Sequence, residues 1–262
     1  MTTPYSGAPE RSVVDRTLSI LGTFNRDNRT LTLSDISRRS GLPVATVHRI
    51  VNKLHGWGAL ERCPDGGYSI GLRLWETAVL APQAKLIEAA QPHLVELQRH
   101  TSAAATLAIR DGSDSICLSL LSNDRDLMTR CGDAGARLPL HATAVGLVLL
   151  AHASKVVQKE VCAGPLRAYT PATITDGAAL RRCLTNVRRE GYVVVRSSLV
   201  EGRGGIAAPV RDCRGAVIAA VAAVAPLDNL QPTRLLPQVL ATAEAVSRCV
   251  GADGPRIGEV GA

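Results

Sequence analysis

Six side chains between positions 45 and 53 carry chemistry that can be read directly from this sequence. Ala45, Thr46, His48, Arg49, Asn52 and Lys53 recur at helical spacing, while Val47, Ile50, Val51 and Leu54 fall on the other side. A helix with one apolar stripe docks on that stripe and leaves its polar side free. The Arg49 guanidinium matches the two acceptors on the major-groove edge of guanine, and Thr46 can bond a phosphate or a base edge. Ala45 is small enough for close approach, and Val44 stands in the leading turn of the same surface. Pro43 suits the start of that helix, where its missing N–H costs nothing.

The flanking elements must hold this surface. Ser34 can cap a short preceding helix through Asp35, Ile36 and Arg39, which stops at Gly41. A short helix, a glycine turn and a second helix with one apolar face make a helix-turn-helix. Arg38 and Arg39 are then placed to meet phosphates, which position a protein without reading sequence. Two short strands follow at 60–63 and 68–70, joined by Pro64, Asp65, Gly66 and Gly67. This hairpin would be a wing, with Arg62 near the DNA backbone. Between Ser37 and Arg73 only Glu61 and Asp65 oppose six Lys and Arg, so the local charge favours DNA. An ordinary helical pair with a solvated basic face has the same charge pattern. The glycine turn, the proline start and the adjacent hairpin together favour the DNA reading.

Upstream, residues 1–10 read as a loose tail, and a helix begins at Ser12 with Val14, Leu18, Leu21 and Phe24 on one face. We place the DNA-binding domain at residues 11–71 and a linker helix at 72–81. Pro82 separates that helix from a long one over 85–100. The remainder, 82–250, alternates strands and helices. Residues 106–110 and 115–121 flank the turn Asp111-Gly112-Ser113, and 127–131 reads as a strand. Residues 143–152, 176–190 and 233–249 are helical, and 192–196, 206–211 and 216–224 are β-branched runs. The fold class is α+β with a mainly antiparallel sheet, followed by a tail over 251–262.

Bulk composition agrees. The chain has 262 residues, a formal charge of +7 and 46% hydrophobic residues, with an isoelectric point near 9.3. Basic proteins favour anionic partners. Aromatics make up only 3%, so base stacking on single strands is a poor fit. The seven cysteines form no CxxC pair, which argues for reduced thiols rather than zinc or disulfides. We expect no metal and no cofactor. The first ten residues lack a signal peptide, and the longest apolar run is too short for a bilayer, so a cytoplasmic location is expected.

Catalysis finds little support. Cys117, Cys131 and Cys213 share a domain with His141, but no cysteine carries a nucleophile signature. His93 and His100 are seven apart, too far for a metal pair on a helix.

The chain resembles the IclR family of bacterial transcription regulators. The matching stretches are 11–24 (RSVVDRTLSILGTF), 33–50 (LSDISRRSGLPVATVHRI), 66–74 (GGYSIGLRL), 137–151 (RLPLHATAVGLVLLA), 188–192 (RREGY) and 205–226. The resemblance implies a winged helix-turn-helix, a linker helix and a GAF-like effector domain. It also implies homodimers, often paired into tetramers, on palindromic double-stranded DNA.

By the same resemblance a small-molecule effector would meet Leu127, Arg130, Leu138, Ala144, Val145, Val195, Arg203, Gly205, Ala222 and Val224. A helix start with small residues at 143–146 is a natural anion cradle, although tight helix–sheet packing uses the same residues. Members that bind small acids place an acidic residue at Val195, a Cys at Gly205, hydroxyls at Ala222 and Val224, and a Glu at Ser198. Their replacement here favours a larger or more apolar ligand. Arg130 or Arg203 could still meet a carboxylate. The alternative is a pocket that has degenerated. Gly202-Arg203-Gly204-Gly205 lacks the spacing of a phosphate loop and reads as a turn. Two readings of different class follow: an effector-gated DNA-binding regulator, or a metabolite-binding or catalytic module whose helix-turn-helix is a protein interface.

Overall fold

The computed structural model describes residues 12–127 and 133–252. The chain divides into two compact units, Met1–Ala81 and Pro82–Ala262.

The first unit contains helices α1 (Val13–Leu21), α2 (Leu33–Ser40) and α3 (Val44–Trp57), strands β1 (Leu60–Arg62) and β2 (Tyr68–Ile70), and helix α4 (Leu72–Ala78). Ile20, Ile36, Val47, Val51 and Leu60 are buried and bring the helices and the hairpin onto one core. The α1 stripe is not all core. Ile20 is fully buried, but Val14 is 65% and Leu18 is 60% exposed. Helical spacing fixes which residues share a face, not whether a neighbour covers it.

Two start signals differ from expectation. The cap of α2 is Thr32, which exchanges hydrogen bonds with Asp35, so Ser34 already lies inside the helix. A hydroxyl three residues ahead of Asp35 completes a capping box, which Ser34 cannot. Pro43 is the residue before α3, whose first helical position is Val44. Between the helices Gly41 adopts a left-handed conformation with φ 69°, which glycine enters without a side-chain penalty. Leu31 pairs by backbone with Tyr68, adding a third short segment to the β1–β2 hairpin.

The second unit opens with α5 (Pro82–Thr101), followed by β3 (Ala104–Asp111), β4 (Asp114–Leu121) and β5 (Arg137–Pro139). Helices α6 (Ala144–Ala151), α7 (Lys155–Ala163) and α8 (Gly177–Glu190) come next, then β6 (Val193–Arg196), β7 (Arg203–Arg211), β8 (Val217–Pro226) and α9 (Pro232–Ala252). The sheet order is β5-β4-β3-β8-β7-β6, and every pairing is antiparallel. Pro82 starts α5 rather than merely ending the preceding helix, as its fixed φ allows.

Strand alternation gives the sheet two apolar faces. Ala105, Leu107, Ile206, Ala208, Val221 and Ala223 face α5 and α9. Ala108, Ala207, Ala220 and Ala222 face α6, which is buried along all eight of its residues. Such an all-apolar helix belongs inside a protein. Small alanines on β8 let it come close.

The expected strand at 127–131 is not a strand where it can be followed. Residues 125–127 are helical, with the Leu127 amide bonded to Asp124 at 3.1 Å. The rest of that stretch, including Arg130 and Cys131, lies outside the described residues, as do the two expected tails over most of their length.

Candidate nucleic-acid interface and ligand cavity

On α3 the apolar side carries Val47, Ile50 and Val51, all buried. The opposite side is open: Val44, Ala45, His48, Arg49, Asn52 and Lys53 are exposed, and Thr46 is half-buried. Docking of the stripe therefore leaves the polar groups in solvent. Arg49, Lys53, Arg39 and Arg62 have no ion-pair partner among the described residues. Arg38 differs, since its guanidinium bonds Asp35 at 2.6 Å on its own helix. Asp35 is thereby held below the ordinary carboxylate range, chiefly by the Thr32 hydroxyl and also by Arg38. Arg38 thus keeps less net charge for a phosphate than Arg39. Ser34 is exposed at the start of α2, and Arg62 is exposed on β1. Asn52 reaches back to His48 at 3.3 Å.

The second unit contains a cavity of about 90 Å³ between the sheet and the start of α6. Leu127, Leu138, Ala144, Val145, Val195, Arg203, Gly205, Ala222 and Val224 all line it. The sequence reading includes Thr143 in the helix-start cradle and Ser198 at a family ligand position, but it does not place Thr106, Cys117 or the loop residues Leu199 and Val200 at the cavity. Thr106 and Cys117 had a discoverable signal, because they occupy the α6-facing parity of β3 and β4. Leu199 and Val200 had none.

The polar groups of the cavity are unequally committed. Thr143 caps α6, accepting from the Gly146 amide at 3.0 Å and donating to the Pro139 carbonyl at 3.1 Å. The Ala144 and Val145 amides, at the start of α6, have no acceptor among the described residues. Free first-turn amides and the helix dipole favour an anion there. No acidic residue occupies that turn. Thr106 donates to the Ser119 carbonyl at 3.1 Å. Arg203 departs from expectation. Its guanidinium is already engaged, by Asp124 and by Asp126 at 3.2 Å, and its side chain is only 17% exposed. Hydrogen bonding by Arg203 holds the Asp124 carboxyl below its usual range, and Asp124 in turn raises Arg203. An incoming carboxylate would have to displace an intramolecular one.

The catalytic candidates do not assemble. His141 is buried with its Nε2 on the Arg167 carbonyl at 2.9 Å, so that nitrogen is a donor rather than a base. Cys213 is exposed. No grouping of three or more metal-binding side chains occurs among the described residues. No helix among those residues is long and apolar enough to cross a membrane.

A winged helix-turn-helix joined in one chain to an α+β unit with an apolar cavity between its sheet and a helix start defines a one-component transcription regulator. Residues 79–248 match the C-terminal domain model of the bacterial transcriptional regulator IclR, and residues 13–64 match the IclR helix-turn-helix domain. The chain belongs to the IclR family. It is 29% identical over 244 residues to the HTH-type transcriptional regulator XynR of Escherichia coli K12, covering 91% of this chain and 96% of that one. It is 29% identical over 245 residues to the HTH-type transcriptional repressor AllR of Klebsiella pneumoniae, covering 91% and 89%. Among solved structures, an IclR homolog from Microbacterium hydrocarbonoxydans complexed with 4-hydroxybenzoate superposes with a TM-score of 0.86. That protein is 37% identical, with 92% of this chain and 100% of that one covered. The matching families and relatives are regulators of transcription, not enzymes.

Proposed function

We propose that this chain is a cytoplasmic, sequence-specific DNA-binding regulator that acts as a homodimer, or a pair of dimers, on a palindromic operator. The observation that carries the reading is the free polar side of α3, with Arg49 exposed while Val47, Ile50 and Val51 are buried. In this motif the recognition helix enters the major groove, and dimer half-sites lie about 34 Å apart or a multiple of that. Thr46, His48 and Arg49 read bases, with Val44 and Ala45 beside them. Ser34, Arg38, Arg39, Lys53 and Arg62 contact the backbone. Apolar groups left in solvent on this unit support pairing with a second copy: Leu18 is 60%, Trp75 64% and Leu80 82% exposed.

In the second unit we assign the cavity to a small organic acid with an apolar body. The free amides of Ala144 and Val145 favour its carboxylate, and the leucine and valine walls favour the body. The solved relative with 4-hydroxybenzoate supports this class of ligand. Such a ligand changes operator affinity only if it prefers one arrangement of the dimer. A gel shift on the DNA flanking this gene tests the whole scheme. It should show a salt-steep specific complex whose affinity changes when an acid that raises the thermal midpoint is added. Binding that ignores sequence, or a complex that no stabilising acid alters, would count against it.

A further inference from the structure

Asn52 is exposed on α3, and its amide Nδ2 lies 3.3 Å from His48 Nε2 and 3.5 Å from His48 Nδ1. An amide N–H can only donate, so the imidazole accepts. The two residues are four positions apart on one helix, the spacing at which side chains meet. No other bond from Nδ2, and none to Oδ1, occurs among the described residues. The contact therefore fixes which end of the amide points to His48. It leaves one amide proton and the Oδ1 acceptor for another partner. A side chain ordered in advance loses less freedom when it binds.

The place of Asn52 on the helix decides what that partner is. Ala45, Arg49, Asn52 and Gly56 follow one another at steps of four, three and four, and all are exposed. This row is turned away from Val47 and Val51, which are buried. Ala45 and Gly56 are small, and a β-carbon on Gly56 would meet nothing within 4 Å. Arg49 and Asn52 thus project from the middle of a low surface. Three residues advance about 4.5 Å along a helix axis, close to the spacing of about 3.4 Å between stacked bases. The two side chains can reach neighbouring base pairs. A free amide N–H beside a free carbonyl matches the N7 acceptor and the N6 donor of adenine. Guanine shows two acceptors on that edge and suits Arg49 instead.

We infer that Asn52 is a specificity-determining residue that reads an adenine through both ends of its amide, with His48 as the positioning residue that holds the amide's orientation. This rests on the reading of α3 as the helix that enters the major groove.

Selection of bound duplexes from a randomised pool by the full chain, followed by affinities for single-base variants of the selected duplex, tests the inference. The half-site should contain an adenine whose replacement weakens binding about five- to 150-fold, the range for one bidentate base contact. Asn52→Ala should erase that penalty and leave those at other positions. His48→Ala should shrink the same penalty, beyond any base that His48 reads itself. Both side chains are exposed, so circular dichroism should be unchanged in either variant. A common half-site without such an adenine, a full adenine preference in Asn52→Ala, or equal loss on every duplex overturns the role of Asn52 and leaves α3 as the reading helix. An adenine penalty untouched in His48→Ala overturns the positioning by His48. A pool that yields no common sequence overturns the major-groove reading of α3 and this inference together.

Discussion

Arg203 and Asp124 stand 79 positions apart in sequence and form an ion pair beside the ligand cavity. The same aspartate accepts the Leu127 amide at 3.1 Å, and Leu127 is a buried wall residue. One guanidinium at the start of β7 thus fixes part of the opposite wall. Arg203→Ala should lower the thermal midpoint more than Asp124→Asn does. The first removes the guanidinium that both carboxylates bond, whereas the second leaves Asp126 to hold the arginine. The pair's contribution is present above the ordinary aspartate value of 3.8 and is lost as pH falls through the lower folded value. Thermal melts at pH 7 and below pH 3 check this, and the gap between the two variants should narrow in acid.

Arg49→Ala should weaken specific DNA binding by about 1–3 kcal/mol and leave the melting curve unchanged, because the side chain is exposed. Lys53→Ala should weaken specific and non-specific DNA alike and make the salt dependence shallower. Gel shifts on operator and scrambled duplexes at two salt concentrations separate the two effects. Equal loss on both duplexes for Arg49→Ala would remove it from base reading.

Gly71→Ala should destabilise the first unit. A β-carbon there would lie 2.2 Å from the Gly58 carbonyl oxygen, a clash with rigid backbone. Overpacking of this kind costs about 1–3 kcal/mol or more. Gly66→Ala offers a comparison, since nothing lies within 4 Å of its β-carbon and only its φ of 83° is strained. Limited proteolysis of the full chain should cut the Gly71 variant first within residues 12–81.

Leu18→Glu combined with Trp75→Glu should shift the proposed homodimer toward monomer while its circular dichroism is preserved. Both side chains are more than half exposed, so neither change opens a cavity. Light scattering over a range of concentrations reads the result. An unchanged mass would place the dimer contact elsewhere.

Stability should also fall as pH drops through about 6.5. His152 is held below that ordinary value by burial first, and then by the nearby Arg211 and Arg188 charges. Its Nδ1 donates to the Val148 carbonyl at 3.0 Å and its Nε2 faces an Arg211 nitrogen at 3.3 Å. The neutral ring satisfies both contacts, whereas a second ring proton would point at a cation. The unfolded chain takes up that proton first, so full stability exists above 6.5 and declines below it. His152→Gln should flatten the slope of thermal midpoint against pH between 7 and 5.

The two-faced helix α3 was legible because its information is local. The spacing of Val47, Ile50, Val51 and Leu54, the turn at Gly41 and the hairpin around Gly66 all act within a few residues. Nine of the expected cavity residues also line the cavity. Those positions came from likeness to a family rather than from periodicity. The capping residue of α2 was missed by two positions, because Thr32 and Ser34 are both good caps and only the partnership with Asp35 separates them.

Sequence alone therefore determined the elements of the first unit in order, the two-faced α3 and the antiparallel hairpins, all set by side-chain periods and turn chemistry, but not the segment at 125–127 or helix α7. Tertiary structure decided what lies against what. Leu18 stays in solvent although its spacing matches a core position. Arg203 is spent on Asp124 although its sequence neighbours are glycines and open turn. The physical reason is that exposure and pairing depend on groups brought together from distant parts of the chain, and no local pattern encodes that partner.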